Sequence, residues 1–199
     1  MGADDVTAAL LAGQPVLFPT DTVYGLVSTA GEAEVASLYR LKGRAPDRPT
    51  ALLAGSIEQL LRCVPELAAQ RATLESLLPG PYTLVVPNPA RRYAWLTGPR
   101  TEAIGVRVPR LSADAQAVLE AVGCVAATSA NDPGGQDPVT LADVPARLRE
   151  VCPALDEGPL GGVPSTVLDL TGPEPVVLRR GAGSTSTIQG DGGRAADVR

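Results

Sequence analysis

Short apolar runs alternate with helical stretches along most of the chain, until two runs at 165–169 and 176–179 follow one another across a Gly172-Pro173 turn. A connection that short joins antiparallel neighbours, whereas strands separated by a helix are free to pair in parallel. Both kinds of connection in one chain predict an α/β (α+β) fold, an open, twisted sheet of mixed parallel and antiparallel strands with flanking helices. Aromatic residues are only 3% of the 199, so its core must be built from Ala, Val and Leu; with 44% hydrophobic residues there is enough for one domain.

Val6, Leu10 and Leu11 lie at helical spacing over residues 4–12, with Asp4 or Asp5 as cap and Gly13 as stop. Residues 16–18 and 25–29 read as strands, and 32–41 as a helix that turns Val35, Leu38 and Tyr39 inward. Further helices are predicted over 56–61, 65–78, 112–122 and 141–151, the last opened by Thr140 and Asp143 in a capping-box pattern. In the strand over 103–108, Ile104, Val106 and Val108 alternate with Gly105 and Arg107, so Arg107 faces away from the valines and wants an anionic partner. The domain is placed at 1–188; the Gly- and Ser-rich composition beyond Gly181 predicts fraying, with a flexible tail at 189–199.

The composition excludes several kinds of chemistry. No histidine is present, which removes a His-based triad and a His metal site. Seventeen basic against 22 acidic residues give a net charge of −5, which together with the scarcity of aromatics opposes stable nucleic-acid binding. Cys63, Cys124 and Cys152 have no close pair in sequence and read as free thiols in a reducing cytoplasm. The acidic N-terminus is unlike a signal peptide, and no apolar run approaches membrane-spanning length.

Three polar stretches carry candidate chemistry. After Val16-Leu17-Phe18, Pro19 opens a segment in which Thr20, Thr22 and Tyr24 alternate; if it stays extended, their hydroxyls share one face. Lys42, Arg44 and Arg48 crowd a proline-shaped loop at a helix end, either a solvated basic end or a phosphate clamp. Ser129-Ala130-Asn131-Asp132-Pro133-Gly134-Gly135 reads as an Asx-type turn or an anion nest.

In chain order, Pro19-Thr20-Asp21-Thr22-Val23-Tyr24-Gly25-Leu26, Lys42-Gly43-Arg44, Leu78-Pro79-Gly80-Pro81-Tyr82-Thr83, Val106-Arg107-Val108-Pro109, Ser129-Ala130-Asn131, Ser165-Thr166-Val167 and Leu178-Arg179-Arg180-Gly181 resemble the threonylcarbamoyl-AMP synthase family in its short, single-domain form. The resemblance implies a YrdC-like sheet with a concave basic cavity. It implies joining of L-threonine, bicarbonate and ATP into threonylcarbamoyl-AMP, with release of pyrophosphate. A separate transferase complex then passes the group to the adenosine at position 37 of tRNAs. Lys42 and Arg44 are implied as the catalytic pair and, with Asn131 and Arg179, as the ATP contacts; Thr20, Thr22, Tyr24, Arg107, Ser129 and Ser165 are implied on the threonine side. Mg²⁺ is implied with the ATP phosphates, with no metal held by the protein alone. The pattern departs at Ala45, at Pro49-Thr50 and at Leu53, where relatives carry a proline, a Pro-Leu pair and a histidine. Two alternatives share the fold: an RNA-binding module, and a carbamoyl-adenylate-forming enzyme with another acceptor.

Overall fold

The computed structural model of the chain describes residues 1–186. Eight strands form one sheet: β1 (Val16–Phe18), β2 (Gly25–Thr29), β3 (Ala51–Leu53), β4 (Tyr82–Pro87), β5 (Ala103–Arg107), β6 (Val125–Ser129), β7 (Thr166–Asp169) and β8 (Val176–Arg179), in the order β1-β2-β6-β3-β5-β4-β7-β8. β3 pairs with β5, and β4 with β7, in parallel; the other neighbours are antiparallel, including β7 and β8 across the short turn. The mixed sheet expected from the connection lengths is therefore present.

Adjacent residues on a strand enter different cores, as the two-residue period requires. Leu52 and Val106 pack in a cluster with Val35 and Leu38 of α2 (Glu32–Lys42), Leu60 of α3 (Ile57–Cys63) and Leu74 of α4 (Arg71–Leu77). Leu53 and Val125 pack on the other face, beneath Val6 and Leu10 of α1 (Ala3–Leu11) and Val118 and Leu119 of α5 (Ala113–Val122). That second face is only partly covered. Over its centre the strands present Gly25, Ala51, Gly105 and Ala127, residues too small to fill the space above them, and a cavity remains.

Several local expectations are corrected. Of the three residues at helical spacing Val6 and Leu10 are buried but Leu11 is exposed, because one residue beyond Leu10 rotates about 100° around the helix and off the apolar stripe. Residues 65–78 do not form one helix: a 3-10 turn over Pro65–Gln70 precedes α4. The stretch 141–151 divides at Pro145, which holds Val144 extended (ψ 135°), so the Thr140–Asp143 box caps a single 3-10 turn and α6 (Ala146–Arg149) starts afresh. Cys63 and Cys124 are joined in a disulfide, with Cα atoms 6.6 Å apart across a sequence separation of 61, a pairing that spacing could not reveal. Cys152 is the free thiol, its pKa pushed up to about 11 by burial.

Residues 182–186, read from composition as the start of a frayed tail, are held: Thr166 Oγ1 donates to Gly183 O at 2.7 Å and the Tyr82 hydroxyl to Ser184 O at 3.0 Å. The tail expected at 189–199 lies outside the described residues.

Candidate active site

α2 ends in a Schellman motif. Gly43 takes a left-handed conformation (φ +66°), Arg44 N reaches Tyr39 O at 2.9 Å, and the chain reverses so that Lys42 and Arg44 leave the helix end toward the partly covered sheet face. Lys42 is 3% exposed. Its Nζ donates to Ser129 O at 2.6 Å and to the backbone and side-chain oxygens of Asn131, so it pins the turn that follows β6. Asn131 is fixed in turn, accepting from Ser129 Oγ at 2.7 Å and donating to Gly135 O at 2.7 Å. Burial, with the charge of Arg44 second, lowers the Lys42 pKa to about 8. Arg44 donates to Pro49 O at 2.6 Å, and burial lowers its pKa. On β8, Arg179 curls back onto Ser165, meeting its carbonyl at 2.8 Å and its hydroxyl at 3.1 Å. Among the described residues no carboxylate lies within ion-pair distance of Lys42, Arg44 or Arg179.

Arg107 is handled differently. Its Nη2 meets Asp21 Oδ1 at 2.5 Å and Thr22 Oγ1 at 2.7 Å, with Thr20 Oγ1 farther off at 3.4 Å. Burial pulls the guanidinium pKa down while the Asp21 charge opposes it. Asp21 Oδ2 also accepts the Arg110 amide at 3.1 Å, which ties the segment after β5 to the turn after β1.

That turn corrects the extended reading of residues 19–24. Thr20 Oγ1 donates to Val23 O at 2.8 Å, lies 3.0 Å from Thr22 Oγ1 and accepts the Thr22 amide at 3.2 Å, so the hydroxyls close a turn on themselves. Thr22 is fully buried. Tyr24 points into the core, where its hydroxyl bonds Gly158 O at 2.8 Å and Asp156 Oδ1 at 3.1 Å and accepts from Glu157 N at 3.0 Å; desolvation raises its pKa. The three side chains do not form a wall.

The cavity encloses about 350 Å³, within the usual range for a small-molecule site. Of the residues predicted from sequence, Thr20, Arg44, Arg107, Ser129, Ser165 and Arg179 line it; Thr22, Tyr24, Lys42 and Asn131 do not. Lys42 sits behind Ser129, and Asn131 faces a neighbouring cleft with Asp132, Asp137 and Asp143. Sequence reasoning missed Thr83, Arg100 and Asp137 on the cavity wall. Thr83 was within reach, since it closes the Leu78–Thr83 stretch and its Oγ1 is 2.9 Å from Ser165 Oγ; Asp137 carried no local signal. Among the described residues, no three His, Cys, Asp or Glu side chains gather where they could hold a metal ion.

A family described as "Telomere recombination" (Sua5_yciO_yrdC) matches residues 8–181. A protein of Mycobacterium tuberculosis (strain H37Rv) named putative threonylcarbamoyl-AMP synthase is 38% identical over 193 residues, covering 94% of this chain and 87% of its own. The threonylcarbamoyl-AMP synthase of Chromohalobacter salexigens is 37% identical over 180 residues, 88% of this chain and 95% of its own. Among solved structures, P. abyssi Sua5 complexed with L-threonine superposes with a TM-score of 0.79 at 32% identity, over 90% of this chain. The present chain spans 54% of that longer protein. E. coli YciO also gives 0.79, at 25% identity, over 94% of this chain and 92% of its own.

Proposed function

Because the chain belongs to the Sua5–YciO–YrdC family, in which its curated relatives are named threonylcarbamoyl-AMP synthases, we propose that it joins L-threonine, bicarbonate and ATP into threonylcarbamoyl-AMP, pyrophosphate and water, the water leaving as the threonine amine displaces a bicarbonate oxygen to form the carbamate. It is a nucleotidyl-transferring enzyme. The observation that carries the reading is the placement of Arg44 and Arg179 on the wall of one sheet-face cavity, with Lys42 behind Ser129 of that wall, all three without carboxylate partners among the described residues.

The carbamate of threonine attacks the α-phosphorus with a carboxylate oxygen, and the bond from that phosphorus to the pyrophosphate oxygen breaks. Such a displacement depends on alignment and on neutralising spread negative charge. Arg44 and Arg179 supply that charge from the cavity wall. Lys42 holds Ser129 and Asn131 in place and faces the phosphates from behind them. Arg107 takes the threonine carboxylate. Every hydrogen bond its guanidinium makes among the described residues runs through Nη2, and Nε is buried, so the carboxylate meets the Nη1 end of the fork. Ser129, Ser165 and Thr83 complete the amino-acid side. Asp137, the carboxylate on the cavity wall, would hold a Mg²⁺ bound to the ATP phosphates, or its waters, and that ion would offset phosphate charge.

The product then feeds a separate transferase acting on tRNA. The reaction belongs in the cytoplasm, and among the described residues no helix is long and apolar enough to cross a membrane.

Pyrophosphate release from ATP, measured with and without L-threonine and bicarbonate, tests the reading. Release that ignores both co-substrates overturns it, and release driven by carbamoyl phosphate instead points to a carbamoyl-adenylate enzyme.

A further inference from the structure

Most glycines of this chain have a visible reason to be glycine. Gly43 lies in the left-handed region, and a Cβ on Gly98 would strike the Asp47 carbonyl. Gly105 has no such reason. It sits at the centre of β5 with φ outside the left-handed region, and an added Cβ would meet only Ala51 Cα and Thr83 Cγ2, both at an ordinary 3.8 Å. A glycine inside a strand forgoes cross-strand packing and loses more chain entropy on folding than any other residue. Neither the backbone nor the surrounding protein asks for that sacrifice.

The cavity does. Gly105 lines it directly opposite Val85 of β4 and beside Ala51 of β3, on the same strand face as Arg107 two residues on. By the β3–β5 register Gly105 lies beside Ala51, with Arg107 two residues to one side and Pro49, which accepts from Arg44, two residues to the other, so a side chain here rises into the space that a ligand joining those two ends must cross.

We propose that Gly105 is a specificity-determining residue, its missing side chain admitting the carbamoyl-phosphate bridge of an acyl-adenylate between the amino-acid and nucleotide ends. The proposal rests on the functional reading above. It assigns the site a ligand that is broad at its middle, and it separates the effect of residue 105 on the fold from its effect on the ligand. The two move in opposite directions.

Gly105→Ala and Gly105→Val provide the test, each measured by thermal melting, by ATP binding in calorimetry and by threonine- and bicarbonate-dependent pyrophosphate release. Both variants should melt at or above the wild-type temperature, since a Cβ suits a strand and meets nothing here. Turnover should fall by about tenfold for Ala and about a hundredfold for Val, the scale on which a close-fitting pocket discriminates single carbon atoms. Well-folded variants with unchanged turnover would overturn the proposal while leaving the functional reading intact. A Val variant melting well below wild type would also overturn it, by showing that packing of the protein itself requires glycine. A wild-type protein that melts normally yet neither binds ATP nor releases pyrophosphate would instead contradict the functional reading.

Discussion

At one end of the site, Lys42 and Arg44 are held by the oxygens of Ser129, Asn131 and Pro49; at the other, Arg107 is clamped by the Asp21 carboxylate and the Thr22 hydroxyl. Carbonyl dipoles fix a cation in place without cancelling its charge, whereas a carboxylate does both. The first end therefore keeps its positive charge for a polyanion such as a triphosphate. The second is already close to neutral, and it suits a small zwitterion whose single carboxylate needs orientation more than attraction. A cation count along the sequence would have treated the two ends alike.

The comparison breaks most visibly at Arg107. Arg107→Met leaves Asp21, whose side chain is 11% exposed, without its partner, and stability should fall by about 3–5 kcal/mol in urea unfolding. Adding Asp21→Asn should recover most of that loss. A single variant as stable as wild type would mean that the pair does not hold the turn.

Lys42→Ala should weaken ATP use by about ten- to a hundredfold, from the loss of the buried charge behind the wall and of its charge-assisted bonds to Ser129 and Asn131, each worth roughly 1.5–3 kcal/mol. The threonine KM should hardly change. Equal losses for both substrates, in folded protein, would erase the distinction between the ends.

A smaller effect sharpens the boundary of the site. Tyr24→Phe removes the hydroxyl that holds Asp156, Glu157 and Gly158, and should cost about 1 kcal/mol of stability in chemical denaturation with both KM values unchanged. A raised threonine KM would return Tyr24 to the substrate.

The smallest effect is a pH dependence. With its pKa lowered by burial to about 8 from the ordinary 10.5, Lys42 loses its proton more easily in the folded chain, so kcat/KM for ATP should decline as pH rises through about 8. The sign for stability is opposite. Between about 8 and 10.5 the unfolded chain binds more protons at this residue than the folded one, so this contribution to stability grows as pH rises across that window. Urea melts compared between wild type and Lys42→Met across it should show the difference, and a Lys42 contribution falling with pH would refute the assignment.

Much of this molecule was legible in its residues. The two-residue period of Ile104, Val106 and Val108 put Arg107 on the opposite face, and that is the face on which the cavity opens. The helix read over 32–41 put Lys42 and Arg44 at an end rather than on a flank, and the structure ends it one residue later, at Lys42. Both follow from periodicity and backbone conformation, which are local. The hydroxyls of Thr20 and Thr22 misled because alternation predicts a shared face only where the backbone stays extended. Here it turns, anchored by bonds from Gly162 N to Thr22 O and from Tyr24 N to Pro138 O, partners more than a hundred residues away.

The sequence by itself determined the mixed sheet, the order of its elements and the set of cations available to a site, because connection length, side-chain period and helix caps act over a few residues. Only the tertiary structure decided which of those cations are neutralised, which hydroxyls are spent on the fold, and that Cys63 meets Cys124. Those outcomes depend on electrostatic and packing partners brought together from distant parts of the chain, and nothing local to Arg107 distinguishes a guanidinium that Asp21 will clamp from one left free.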